Sequence, residues 1–243
     1  MKRVSIIIPA YNEEATILDL LRQVKAQSIP GVEFETIVID DGSHDRTVAL
    51  LERYPEFYSV LIKQPRNRGK GAAVREGLRR ATGDYVLFQD ADLEYSPSEY
   101  ATLLYPVQQF DAEVVIGSRF MAPRYTRVAH FWHKLGNTVI TLLFNVLFNT
   151  TFSDIYSCYL LYRRDLVDPE ALRADGWDQH AEILATAAQR AKVLYEVPIS
   201  YHGRSYEEGK KIRARHTIVV ILMIIRRRLF HRRRASLWFE SNR

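Results

Sequence analysis

Five apolar, β-rich runs constrain this chain most, because each is too continuous to alternate between core and solvent: "VSIIIPAY", "FETIVID", "SVLIK", "YVLFQD" and "AEVVIG". Strands of that kind are covered on both faces, which is the situation of a parallel sheet. Helix-period segments separate them. Ile17, Leu20, Leu21 and Val24 recur at i, i+3, i+4 and i+7, and "DRTVALLERY" and "GAAVREGLRRA" supply shorter helices after the second and third runs. Strand and helix in alternation predict an α/β fold: a mostly parallel, Rossmann-like sheet with helices on both faces. Ligands of open α/β sheets bind at the carboxyl ends of the strands. Four polar clusters fall there: "PAYNEE", "DDGSHDRT", "NRGKG" and "DADLE".

The last cluster raises an electrostatic question, since Asp90, Asp92 and Glu94 follow a buried run at alternate positions. In extended chain, residues i and i+2 point the same way, so Asp90 and Asp92 can converge on one cation. Oxygen-only ligands suit Mg²⁺ or Mn²⁺. A turn followed by a helix cap explains the same letters, and "SPSEY" does begin like a helix. Asp40 and Asp41 end the second run, where a carboxylate can accept hydrogen bonds from a base or ribose. Gly42 and Ser43 read as a turn and cap. "NRGKG" opens a helix with two glycines and Lys70, letting backbone N–H groups and an ammonium approach a diphosphate. Neither G-x-x-x-x-G-K-[ST] nor G-x-G-x-x-G occurs, which argues against a phosphate-loop hydrolase and a nicotinamide dehydrogenase.

The net charge of +5 hides an asymmetry: residues 204–243 hold 12 Lys/Arg against 3 Asp/Glu, and the rest of the chain carries 22 against 26. A basic tail of that kind attracts polyanions, either nucleic acid or an anionic membrane surface. Residues 138–152, "TVITLLFNVLFNTTF", predict a helix of roughly 22 Å, short of a ~30 Å hydrocarbon core. The tail "TIVVILMIIRRRLFHRRR" is also too short in its apolar part to span and reads as interfacial. The amino terminus lacks the apolar stretch of a signal peptide, so a cytoplasmic protein is expected. The single cysteine, Cys158, is expected to be a small buried residue.

Taken in order, "VSIIIPAYNEE", "IVIDDGSHDRT", "NRGKGAAVREG", "DADLEYSP" and "VIGSRF" resemble the nucleotide-sugar-binding half of a family 2 glycosyltransferase, an inverting enzyme of the GT-A fold. "SDIYSCYLLYRRD", the acidic helix around Glu182 and "YHGRSYEEGKK" resemble the branch that transfers sugar to a polyprenyl phosphate, the dolichyl-phosphate mannose synthase type. The resemblance implies a catalytic domain over residues 1–215 and a basic amphipathic, membrane-associating tail over 216–243. It implies that Pro9, Tyr11 and Glu13 line the nucleotide pocket, with Asp40 on the base or ribose and Lys70 nearby. Asp90, Asp92 and Glu94 would hold Mg²⁺ or Mn²⁺. Arg119, Arg204, Lys210 and Lys211 would meet the phosphates of donor and acceptor, and Glu182 would orient a basic side chain or a sugar hydroxyl. Around Cys158 the chain departs from that pattern, with Tyr156 and Leu160 where an acidic residue and a lysine would stand.

The expected reaction is transfer of a sugar, mannose from GDP-mannose first, to a polyprenyl or dolichyl monophosphate on the cytoplasmic face of a membrane. A UDP-sugar donor or a glycan or protein hydroxyl acceptor is the alternative within enzymology. Outside it, "RRRLFHRRR" would serve a nucleic-acid-binding protein, but nothing base-reading accompanies it, so no nucleic-acid partner is expected.

Overall fold

The computed structural model describes residues 1–121, 131–203 and 215–240. Strand β1 (Lys2–Ala10) leads through helix α1 (Ile17–Lys25) to β2 (Val32–Asp40), then through α2 (Thr47–Arg53) to β3 (Val60–Lys63). Helix α3 (Lys70–Arg80) returns the chain to β4 (Tyr85–Phe88), and α4 (Tyr100–Phe110) precedes β5 (Val114–Ser118). The second half contains α5 (Phe131–Phe148), β6 (Leu160–Arg163), α6 (Gln179–Ala188), β7 (Leu194–Pro198) and α7 (Arg215–Glu240).

The strands form one sheet in the order β3-β2-β1-β4-β6-β5-β7. β1 lies parallel between β2 and β4, and Val4, Ile6, Ile7 and Ile8 are fully buried, so the unbroken apolar run reflects cover on both faces. The four predicted residues of α1 are all buried against the core. The expectation of a mostly parallel sheet is met with one exception. β6 runs antiparallel to both β4 and β5, wedged between two strands that are closer in sequence. Its four residues, "LLYR", were too short to be read as a strand.

Because β2 and β3 lie to one side of β1 and β4 to the other, the strand order reverses at β1/β4. That is the point where α/β sheets open a crevice.

The C-terminal segment from residue 216 is packed against the rest of the chain in its first turns. Its helix α7 packs on α5 and α6, with Val220, Met223 and Ile224 buried, so its first turns complete the core. Among the described residues no helix is long and apolar enough to cross a membrane.

Candidate active site

A cavity of about 300 Å³ opens at the β1/β4 crevice, lined by the loops that follow β1, β2, β3 and β4. Pro9 comes from the end of β1 and Tyr11 and Glu13 from the loop after it, Asp41 from the second loop, Asn67 from the third with Lys70 at the start of α3, and Asp90, Asp92 and Glu94 from the fourth. Gly176, Trp177 and Tyr201 close it from the second half of the chain. Side chains knit the loops together. Asn12 Oδ1 accepts the His44 N–H at 2.9 Å, Glu13 N donates to Thr47 Oγ1 at 2.9 Å, and Thr16 Oγ1 donates to the Ala91 carbonyl at 2.8 Å.

The acidic loop after β4 is held by Gln89, which is fully buried. Its Oε1 accepts the hydroxyls of Tyr100 and Tyr159, each at 2.8 Å, while its Nε2 donates to the Asp90 and Tyr95 carbonyls. This fixes the backbone on both sides of the Asp90–Glu94 turn. Lys70 forms an ion pair with Asp90 and lies 5.4 Å from the centre of the Trp177 ring. Burial disfavours both charges, yet each holds the other: Lys70 stays protonated above the ordinary lysine range, and Asp90 stays ionised below the carboxylate range. Burial, with the Asp90 carboxylate nearby, pushes the Cys158 thiol well up, so it remains a thiol.

Four of the expected residues sit in surroundings that the sequence did not show. Asp40 does not line the cavity: it is buried, and its Oδ2 accepts the Gly42 and Ser43 N–H groups at 3.1 Å each, which shapes the turn. Its neighbour Asp41 takes the pocket position, holding the Arg68 and Gly69 N–H groups at 2.8 and 2.9 Å. Glu182 is also absent from the cavity. Only 1% exposed, it accepts the backbone N–H groups of Arg173 and Ala174 and pairs with Arg227 of α7. Arg119 stands behind the cavity wall in a bidentate pair with Asp154, at 2.7 and 2.9 Å, with its guanidinium 5.2 Å from the Tyr201 ring centre. Glu94 lines the cavity but is turned to Tyr201, whose hydroxyl donates to it at 2.8 Å. No three-ligand cluster of His, Cys, Asp or Glu occurs among the described residues, so the trio Asp90, Asp92 and Glu94 is not a protein-only cage. Arg204, Lys210 and Lys211 lie outside the described residues.

The strand-end loops, the acidic turn and the basic residue facing it are matched by a family model described as glycosyl transferase family 2, over residues 5–169. The chain belongs to that family. A hexosyltransferase of low-salt glycan biosynthesis, Agl6 of Haloferax volcanii, is 29% identical over 209 residues, 84% of this chain and 48% of the relative. The chain thus spans about half of that relative's length. Among solved structures, the glucosyl-3-phosphoglycerate synthase of Mycobacterium tuberculosis has a TM-score of 0.70 at 22% identity, covering 94% of this chain and 79% of its own. It has been seen with UDP and either Mn²⁺ or Mg²⁺. TarS of S. aureus, solved with UDP-GlcNAc, has a TM-score of 0.63 at 19% identity, covering 93% and 66%. Both share the GT-A-like fold of this family 2 glycosyltransferase.

The family match ends at residue 169, so Gly176, Trp177 and Tyr201 belong to the part that the family pattern leaves open. Sequence reasoning missed these three, together with Gln89 and His180, and named Asp41 at the strand end while assigning the contact to Asp40. For Trp177 the available signal was a lone aromatic inside the polar stretch "ADGWDQ". His180, on α6, is buried between the rings of Phe88 and Tyr156, with Nε2 lacking a hydrogen-bond partner. Burial first, then the Lys70 charge, push its imidazole down to about 3 against the opposing carboxylates of Asp90 and Asp154. The folded state therefore refuses a proton that the unfolded chain accepts near 6.5, and stability falls as pH drops through the window between those values. Replacing His180 with Gln is expected to flatten that acid limb. Urea midpoints at pH 7 and pH 4.5 check it, and an equal drop in variant and wild type would refute it.

Proposed function

We propose that this glycosyltransferase moves a hexose from a nucleoside diphosphate sugar to a polyprenyl monophosphate, using Mg²⁺ or Mn²⁺. The observation that carries the reading is the convergence of Lys70, Asp90 and Asp92 on one cavity at the sheet's crevice. A hard cation typically takes one or two protein carboxylates and completes its shell with phosphate oxygens and water, so Asp90 and Asp92 fit it without a third ligand. When bound, it neutralises charge on the diphosphate leaving group. Lys70 adds a fixed positive charge beside it, stabilising the charge that builds as the glycosidic bond breaks. Asp41, Tyr11 and Glu13 would hold the nucleoside end of the donor, with Asp41 in the role expected of Asp40.

A lipid monophosphate has a second pKa of about 6 and is already a dianion at neutral pH, with no proton left to remove, so no general base is needed. The withdrawal of Glu182 from the cavity accords with that acceptor. A membrane location is supported by the outward faces of the two packed helices. Leu135, Val139, Leu142 and Val146 of α5, and Ile218, Leu222 and Leu229 of α7, are exposed at i, i+4, i+7, i+11 and i, i+4, i+11. Arg226 and Arg228 flank that face and suit an anionic leaflet, at roughly 1 kcal/mol for each basic residue near the surface.

The test is a panel of GDP- and UDP-sugars, GDP-mannose first, offered with Mg²⁺ or Mn²⁺ and a polyprenyl phosphate in anionic vesicles. Metal-dependent transfer by protein that sediments with the vesicles is expected. Transfer to a neutral alcohol but not to the lipid phosphate would overturn the acceptor.

A further inference from the structure

We propose that Arg227 of α7, acting through Glu182, is a positioning residue for the diphosphate end of the donor pocket, an inference that rests on the nucleotide-sugar reading of that pocket. The connection can be followed bond by bond. Arg227 donates to the Glu182 carboxylate and, at 3.1 Å, to the Ala171 carbonyl. Glu182 accepts the Arg173 N–H at 3.0 Å and the Ala174 N–H at 2.8 Å. The next residue, Asp175, accepts the Gly71 N–H through its carbonyl at 2.9 Å and pairs its carboxylate with Arg75. Gly176 and Trp177 then form the cavity wall, with the Trp177 carbonyl accepting the Tyr156 hydroxyl at 2.8 Å.

This segment grips the start of α3, the element that carries Lys70. The fit leaves no slack: a Cβ on Gly69 would stand 2.5 Å from the Asp175 carbonyl oxygen, and one on Gly71 equally close to that of Ala174. Gly69 also has φ of +96°, open to glycine at little cost. A shift of residues 173–175 therefore moves the Lys70 end of α3 or opens the gap beside it. Glu182 holds Arg173 and Ala174 by their N–H groups and is itself paired with a cation. Arg227 is that cation. The pair thus ties a helix of the C-terminal half to the segment packed against the start of α3, which carries the side chain that faces Asp90.

Loss of the tie has a recognisable form. The nucleoside end, held by loops after β1 and β2, is untouched, whereas the diphosphate end loses the alignment of Lys70. In full-length Arg227→Met, affinity for UDP or GDP measured by calorimetry is expected to fall about tenfold, the scale found when supporting partners of a site are removed. Affinity for the corresponding monophosphate changes less than twofold. Donor KM rises in parallel, kcat falls as well because Lys70 also faces the charge that builds on the leaving diphosphate, and Arg227→Lys recovers most of both losses. Glu182→Gln, nearly isosteric, is the second variant should Arg227→Met fold poorly, and it shows the same diphosphate-selective weakening. Equal weakening for mono- and diphosphate, or a lowered melting temperature with unchanged nucleotide affinity, would reduce the pair to a structural role and overturn the proposal. A wild-type protein that binds neither nucleotide would instead overturn the reading of the pocket itself, and the coupling with it.

Discussion

Asp92→Asn is expected to reduce kcat/KM by roughly 10²- to 10³-fold, the range found when one preorganised electrostatic group is removed from a transition-state site, while leaving the melting temperature unchanged. Asp92 is half-buried on the cavity wall, and its Oδ1 accepts the Glu94 N–H at 3.2 Å. An asparagine keeps that carbonyl-type acceptor and the turn it shapes. What disappears is one negative charge, so the substitution separates cation binding from folding. Asp90→Asn would be a less clean probe, because it strips Lys70 of its counter-charge as well. Titrating Mg²⁺ and Mn²⁺ against the variant checks the assignment, since a weakened cation site is partly rescued by higher metal concentration. Wild-type activity with either metal would remove Asp92 from the site.

The second large effect concerns Arg119, where the expectation from sequence and the geometry give opposite results. As a phosphate contact, Arg119 could be replaced with a loss of acceptor affinity and little change in stability. In the structure it neutralises Asp154, which is fully buried and also accepts the Tyr156 N–H and the Asn137 amide. Burial works against both charges, but their mutual attraction holds Arg119 above and Asp154 below their ordinary ranges. Removing one partner of a buried pair leaves an uncompensated charge, at a cost of about 3–5 kcal/mol. Arg119→Met should therefore lower the urea midpoint strongly. Adding Asp154→Asn, which removes the orphaned charge and keeps an acceptor, should recover more than half of the loss. An unchanged midpoint in Arg119→Met would return the residue to the phosphate role.

The contrast between Asp92 and Arg119 shows what could be read from the sequence. Continuous apolar runs are legible because a strand buried on both faces admits few polar letters, and the loops at their ends follow from the topology of α/β sheets. Pro9, Tyr11, Glu13, Lys70, Asp90 and Asp92 all reached the cavity for that reason. Adjacent residues at a strand end were harder, since Asp40 and Asp41 differ only in which side of the turn they face. The partners of Glu182 and Arg119 were not legible, because a charged side chain in a suggestive place looks the same whether its partner is a ligand or another residue far along the chain. Asp154 and Arg227 are those partners, and no local periodicity announces them. β6 escaped for a related reason: four residues pairing antiparallel with two strands made much earlier leave no pattern in their own letters.

That late strand sets a timetable for synthesis. β1 to β4 contain everything needed to pair with one another and can assemble as soon as Phe88 has emerged. β5 has only β6 and β7 as neighbours, and β6 follows it by about forty residues, a delay of roughly 2–8 s at translation rates of about 5–20 residues per second. During that interval "VVIGS" is an apolar strand with two open edges, attached to a half-sheet whose own edge at β4 is equally unpaired. The nascent chain is thus most exposed to wrong pairing after its first half-sheet has formed, and the insertion of β6 closes the β4 edge and one edge of β5 together, the other edge of β5 waiting for β7.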